Sequence, residues 1–297
     1  MNVKKLKAKT SKLLILLSVI ISFVSCNKNM VQPEKQTYKE FAQQISDYTG
    51  NYYTEEQLKS MYNNSNLVGV IILRKEYRND YVLSGKDDNF LYHPFDGYET
   101  DASGIFFEPN SYDKIHLKSF VINAMQMREF QIGYYTPYQE IDIYTGDNYN
   151  KWVIESDDNS IPNSIDSVLL SEEIKIMNFH RGDTLNVSDT TGDNGYQLNW
   201  IGGEPNGKVK ISIDKTSLML DTLTQKTYTG YSFIIDNNHS YYLYNRFFDG
   251  LYLEGYYNLT VTSYEPHIKI LSNGKQILVV GMLQHTITVY LKPVPKT

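Results

Sequence analysis

The stretch that decides the fold is HIKILSNGKQILVVG, residues 267–281. Two apolar, β-branched runs flank Asn273-Gly274, a dipeptide that accepts positive φ and so favours a tight reversal between antiparallel strands. Working outward, the same punctuation recurs. Asp183–Ser188 forms one candidate strand, and Tyr196-Gln197-Leu198-Asn199-Trp200 alternates. The turn Gly202–Gly207 precedes Val209, Ile211 and Ile213, which share one face. Lys226–Ile235, Ser240–Tyr244, the series Tyr257, Leu259, Val261, and His285–Leu291 follow. About eight short strands in ~115 residues is the spacing of a β-sandwich.

Upstream of residue 180 the period is also mostly two, after a helical start. Thr37–Tyr48 places Phe41, Ile45 and Tyr48 at helical spacing. Thr54-Glu55-Glu56-Gln57 has the form of a capping box opening a second helix to about Tyr62. Leu67–Leu73 (LVGVIIL) then reads as a buried strand, with Tyr81–Ser84 returning after a turn at Asn79-Asp80. Ile105–Phe107, Ile115–Asn123, Glu129–Tyr135, Tyr138–Tyr144, Lys151–Glu155 and Asp166–Phe179 are further strand candidates. Ala124–Arg128 reads as a helical turn or as part of these strands. The expectation is a mainly β chain of two β-rich domains, 37–178 with a small N-terminal helical segment and 179–297 as a sandwich.

The first 36 residues have a different character. Lys4, Lys5, Lys7, Lys9 and Lys12 precede Leu13–Val24, an apolar run of about a dozen residues, as in a secretory signal peptide. A spanning helix needs roughly 20 apolar residues. The only cysteine of the chain, Cys26, follows directly, so no disulfide forms within it. Residues 27–36 (NKNMVQPEKQ) are polar and suit a tether.

Phe23-Val24-Ser25-Cys26 resembles the lipobox of bacterial lipoproteins, with Phe23 where that family prefers leucine. The resemblance implies that residues 1–25 are removed and that Cys26 becomes the acylated first residue. It further implies anchoring at the cell outer membrane or cell surface of a Gram-negative bacterium. Loss of residues 1–25 removes five of 28 basic residues, leaving 23 against 34 acids, net −11. Such a body lacks the basic patch that displaces counterions from phosphate, so no nucleic-acid partner is expected. YQLNW, VKISI and GYYNLTVT (Gly255–Thr262) resemble the strands of fibronectin type III and related immunoglobulin-like sandwiches. Trp200 matches the core tryptophan, Tyr257, Leu259 and Val261 the strand crossing it, and Leu251 the leucine before that strand. This resemblance implies a fold and no activity.

The chemistry-bearing residues are sparse. The six histidines (His93, His116, His180, His239, His267, His285) form no helix-face pair and no H-E-x-x-H, so no metal site and no cofactor is expected. Ser156–Asn159 and Asp189–Gly195 offer oxygen ligands of the kind calcium takes, and equally read as plain turns. No nucleophile elbow or glycine-rich phosphate loop occurs, and the expectation is a non-catalytic protein. Arg181-Gly182-Asp183 spells an adhesive tripeptide at the start of a strand.

Among 26 tyrosines, one stretch stands out: YQEIDIY, residues 138–144. Period two turns Ile141 and Ile143 inward and sets Tyr138, Glu140, Asp142 and Tyr144 on one outer face. Rings stack on apolar sugar faces, and carboxylates accept hydrogen bonds from hydroxyls. Tyr134, Tyr135, Tyr149 and Trp152 are expected to add rings. The functional expectation is a membrane-anchored binding protein for an extracellular glycan or protein. A fimbrial structural subunit, which the lipoprotein signal, the length and two sandwich domains also resemble, is the alternative, and a glycan hydrolase is the third reading.

Overall fold

The computed structural model describes residues 37–64, 66–84, 91–109, 113–187, 195–216, 231–244, 248 and 254–293. Residues 1–36, which hold Cys26 and the stretches read above as signal peptide and tether, lie outside them, as do Leu251 and most of Asp189–Gly195. The described chain is mainly β, with two short helices.

Helix α1 (Tyr38–Thr49) starts at a complete capping box. The Thr37 hydroxyl accepts from the Glu40 amide at 3.3 Å, and the Glu40 carboxylate accepts from the Thr37 amide at 2.8 Å. The helix stops at Gly50, whose left-handed φ of 59° turns the chain. Helix α2 (Glu55–Asn64) opens on the box expected at Thr54 and Gln57, with bonds of 3.3 and 2.8 Å.

The strands are β1 (Leu67–Ser84), β2 (Leu91–Phe106), β3 (Ser119–Ile122), β4 (Met125–Gln126), β5 (Arg128–Gln131), β6 (Tyr134–Thr136), β7 (Tyr149–Glu155), β8 (Ser164–Leu169), β9 (Lys175–Ile176), β10 (Thr184–Val187), β11 (Gly195–Ile201), β12 (Lys208–Lys215), β13 (Tyr231–Asp236), β14 (Ser240–Tyr244), β15 (Gly255–Ile270) and β16 (Gln276–Pro293). A large mixed sheet runs β13-β12-β15-β16-β1-β2-β6-β5, with β10 also on β16. Two smaller sheets run β14-β11-β9 and β4-β3-β7-β8. The β15–β16 hairpin turns through Asn273-Gly274, Gly274 taking φ 80°.

β1 lies parallel to β16, from Leu67 against Gln276 to Asn79 against Ile287, and antiparallel to β2. That arrangement explains why LVGVIIL and ILVV are unbroken apolar runs rather than alternating ones. Ile71, Val279 and Ile277 face a core shared with Phe106, Phe120, Trp152 and Leu170. Val70, Leu278 and Val280 face the opposite way, toward Phe41, Ile45 and Leu58 of the helices. Strands buried on both faces need apolar residues at every position. Beyond the helices the alternation returns: His285, Ile287, Val289 and Leu291 point inward, and Thr286 and Thr288 lie on the other face beside Glu76, Thr260 and Asn258.

Two expectations change, and a third is not shown. β1 continues straight through Asn79-Asp80 rather than turning there, because Asp80 is held by Arg78 (2.5 Å) and both residues stay in register with β2. Ala124–Arg128 is not a helical turn: Asn123 and Ala124 take positive φ and reverse the chain between β3 and β4. A division at residue 178 is not shown. β1 pairs with β16 across it, and residues 37–297 form one compact unit.

Candidate functional site

Residues 138–144 do not join a sheet ladder, yet from Glu140 to Tyr144 they alternate. Ile141 and Ile143 are buried in the main core, while Tyr138 (69 % exposed), Glu140, Asp142 and Tyr144 (40 % exposed) face solvent. The backbone bends at Tyr138-Gln139, and beyond it Glu140, Asp142 and Tyr144 share the outer face between the buried isoleucines.

Side chains take the place of ladder bonds. The buried Asn150, on β7, accepts from the Tyr144 amide at 2.9 Å and donates to the Tyr144 carbonyl at 2.8 Å. Asn123 donates to the Asp142 carbonyl at 2.6 Å and to Asn150 Oδ1 at 2.9 Å, and accepts from the Lys151 amide at 2.8 Å. Two asparagines thereby satisfy backbone groups that a neighbouring strand would otherwise serve.

The upstream end of the row adjoins the last strand of the large sheet. Arg128 sits opposite Thr136, two residues before Tyr138. Its guanidinium lies 4.9 Å from the Tyr138 ring centre and 5.8 Å from that of Phe130. Phe130 meets Tyr134 edge-on at 6.5 Å. Phe130 (59 %) and Ile132 (69 %) are exposed. Sequence reasoning missed Arg128 and Phe130. Their signal was present: on an extended chain, residues two apart share a face.

The expected extra rings divide. Tyr149 is exposed and Tyr134 partly so. Tyr135 and Trp152 are core residues instead, which corrects their assignment to the outer face. Tyr135 lies against Gly104, and its hydroxyl donates to Glu129 at 3.1 Å and accepts from the Leu117 amide at 2.6 Å. Burial and the Glu129 carboxylate push Tyr135 up to about 12. Burial alone would raise Glu129, but the Gly133 amide, His116 and Tyr135 hold it below its ordinary value.

The remaining candidates fall into structural roles. Among the described residues no three His, Cys, Asp or Glu side chains cluster as metal ligands. Ser156 and Asp158 cap their own turn, accepting from the Asp158 and Ser160 amides at 3.0 and 2.7 Å. Arg181 donates to the Phe95 carbonyl at 3.0 Å, and Asp183 accepts from the His180 amide at 2.8 Å, so both ends of that tripeptide are engaged. His285 is buried, its Nδ1 accepting from the Ile176 amide at 2.6 Å, and burial pushes it down to about 4. Glu265 and Glu204 converge on Ser171, whose amide serves Glu265 (2.8 Å) and whose hydroxyl serves Glu204 (3.2 Å). Glu265 is enclosed, which leaves no face for a substrate.

No protein-family model, curated protein or solved structure matches the chain significantly. The site therefore stands on its own geometry: a fixed, solvent-facing row of two rings and two carboxylates, extended at one end by a guanidinium and an exposed phenyl ring.

Proposed function

We propose that this chain is a lipid-anchored, non-catalytic protein of the cell outer membrane or cell surface that displays the row Tyr138, Glu140, Asp142, Tyr144 to an extracellular glycan. The observation that carries the reading is the row itself. Four chemically suitable side chains face solvent on a segment pinned by Asn150 and Asn123, so little ordering entropy is lost on binding. Lipidation at Cys26 rests on the signal-like start of the chain, and a firm anchor needs more than one acyl chain. Glycan-array binding tests the function. Tyr138→Ala and Tyr144→Ala each reduce binding at least tenfold; absence of binding to any glycan, or binding indifferent to both changes, ends it. Metabolic labelling with a fatty-acid probe tests the anchor, with Cys26→Ala as the dark control.

We read β10–β16 as an immunoglobulin-like sandwich to which residues 37–178 add strands. Support comes from strand order: β13-β12-β15-β16 in one sheet, β14-β11 in another, and β10 parallel to β16. Trp200 is buried on β11, donating to Asn237 Oδ1 at 2.8 Å, and Tyr257, Leu259 and Val261 are buried on β15. The fimbrial alternative requires a long unpaired edge to receive a donated strand. β16 already pairs with β15 on one side and with β1 and β10 on the other, and the large sheet ends at the short strands β13, six residues, and β5, four residues.

A further inference from the structure

Arg128 differs from Arg78 and Arg181. Arg78 binds Asp80 and Glu99 at 2.5 and 2.6 Å, and Arg181 is spent on the Phe95 carbonyl. Arg128 forms no ion pair or side-chain hydrogen bond with any described residue; its contacts are the faces of Tyr138 and Phe130. Its neighbour Glu129 is committed elsewhere, to His116 (2.6 Å), the Gly133 amide (2.8 Å) and Tyr135. An un-neutralised guanidinium is thus held between two exposed rings on a chain of net charge −6.

The two rings hold the guanidinium over their faces without engaging its N–H fork, and that fork matches a carboxylate bidentately. Downstream in the same row stand Glu140 and Asp142. They would repel a ligand carrying charge at every unit and would accept hydrogen bonds from one carrying hydroxyls. A densely acidic peptide or an all-acid polymer fits the first position and is opposed at the next two. A polymer in which a carboxylated sugar is followed by neutral sugars satisfies all of them: carboxylate on Arg128, apolar sugar face on Tyr138, hydroxyls on Glu140 and Asp142. We propose that Arg128 makes the row selective for a polysaccharide that mixes uronate with neutral sugars. This inference rests on the glycan-binding reading above and narrows it.

The test uses the full chain on an array holding neutral polymers, polygalacturonate, alternating uronate polymers such as hyaluronan, their carboxyl-reduced forms, and polyglutamate. Arg128 is exposed on the last strand of its sheet, so Arg128→Ala leaves the fold intact, which circular dichroism checks. The expected result is that the bound polymers contain interspersed uronate and lose at least tenfold on carboxyl reduction. Arg128→Ala gives the same loss and abolishes the effect of reduction, while Arg128→Lys retains part of it. Carboxyl-reduced or neutral polymers binding as tightly as uronate ones overturns the inference and leaves the glycan reading standing. Polyglutamate or polygalacturonate binding as tightly as the mixed polymers also overturns it. No binding to any glycan removes both.

Discussion

The Asn150 side chain forms a closed pair with the backbone of Tyr144, accepting from its amide at 2.9 Å and donating to its carbonyl at 2.8 Å. This is the hydrogen-bond pattern one strand residue offers another, supplied by a side chain. It lets residues 140–144 run without a neighbouring strand and keeps their outer face open.

Asn150→Ala removes both bonds and the contact with Asn123, leaving buried polar groups unpaired. The expected cost is about 1–3 kcal/mol. Urea unfolding measures it, and amide exchange at Tyr144 rises in the native state. An unchanged midpoint with an unchanged Tyr144 exchange rate would mean that the row is held by Ile141 and Ile143 alone.

Glu265 predicts an unusual pH dependence. Burial first, then the nearby Glu204, outweigh the Ser171 bonds and push its carboxyl up from 4.5 to about 7. Its Oε1 has no hydrogen-bond partner. A folded-state pKa above the unfolded one contributes stability present below about 4.5 and lost as pH rises through 7. His285 acts oppositely: its depressed value gives stability present above 6.5 and lost as pH falls toward 4. Between pH 5 and 7 the two slopes oppose each other. Glu265→Gln, uncharged throughout, gains on the wild type as pH rises from 5 to 8, by up to about 3 kcal/mol. Urea midpoints at four pH values read this; a difference that does not change with pH refutes it.

The pairing of β1 with β16 predicts that neither 37–178 nor 179–297 folds alone. Cutting the chain at 178 uncovers Ile277 and Val279 together with the β16 edge from Gln276 to Ile287. Each such side chain is worth about 1.5–3 kcal/mol of burial, and the bare edge invites aggregation. Expressed separately, the fragments should be insoluble or lack dispersed amide spectra; co-expressed, they should associate. A soluble, cooperatively unfolding 179–297 fragment would restore the two-domain division.

Much was legible locally. The Thr54–Gln57 capping box, the Asn273-Gly274 hairpin and the core positions of Trp200, Tyr257, Leu259 and Val261 follow from short-range patterns that the structure repeats. The inward Ile141 and Ile143 were legible too, because period two survives even where the ladder is missing. Trp152 and Tyr135 were misplaced because tyrosine and tryptophan suit wet surfaces and cores alike, and only their neighbours decide. Gly104, which leaves room for Phe120 beside Tyr135, is such a neighbour.

By itself, the sequence determined what each short segment prefers: helix, strand, turn, and which side chains turn inward. Periodicity and capping act over a few residues, so they are written where they act. Tertiary structure alone decided that β1 lies against β16, joining Glu76 to Thr286 across 210 residues, and that Arg128 rests on Tyr138 with its charge unspent. Those outcomes depend on which surfaces exclude water together, and no local pattern names the partner.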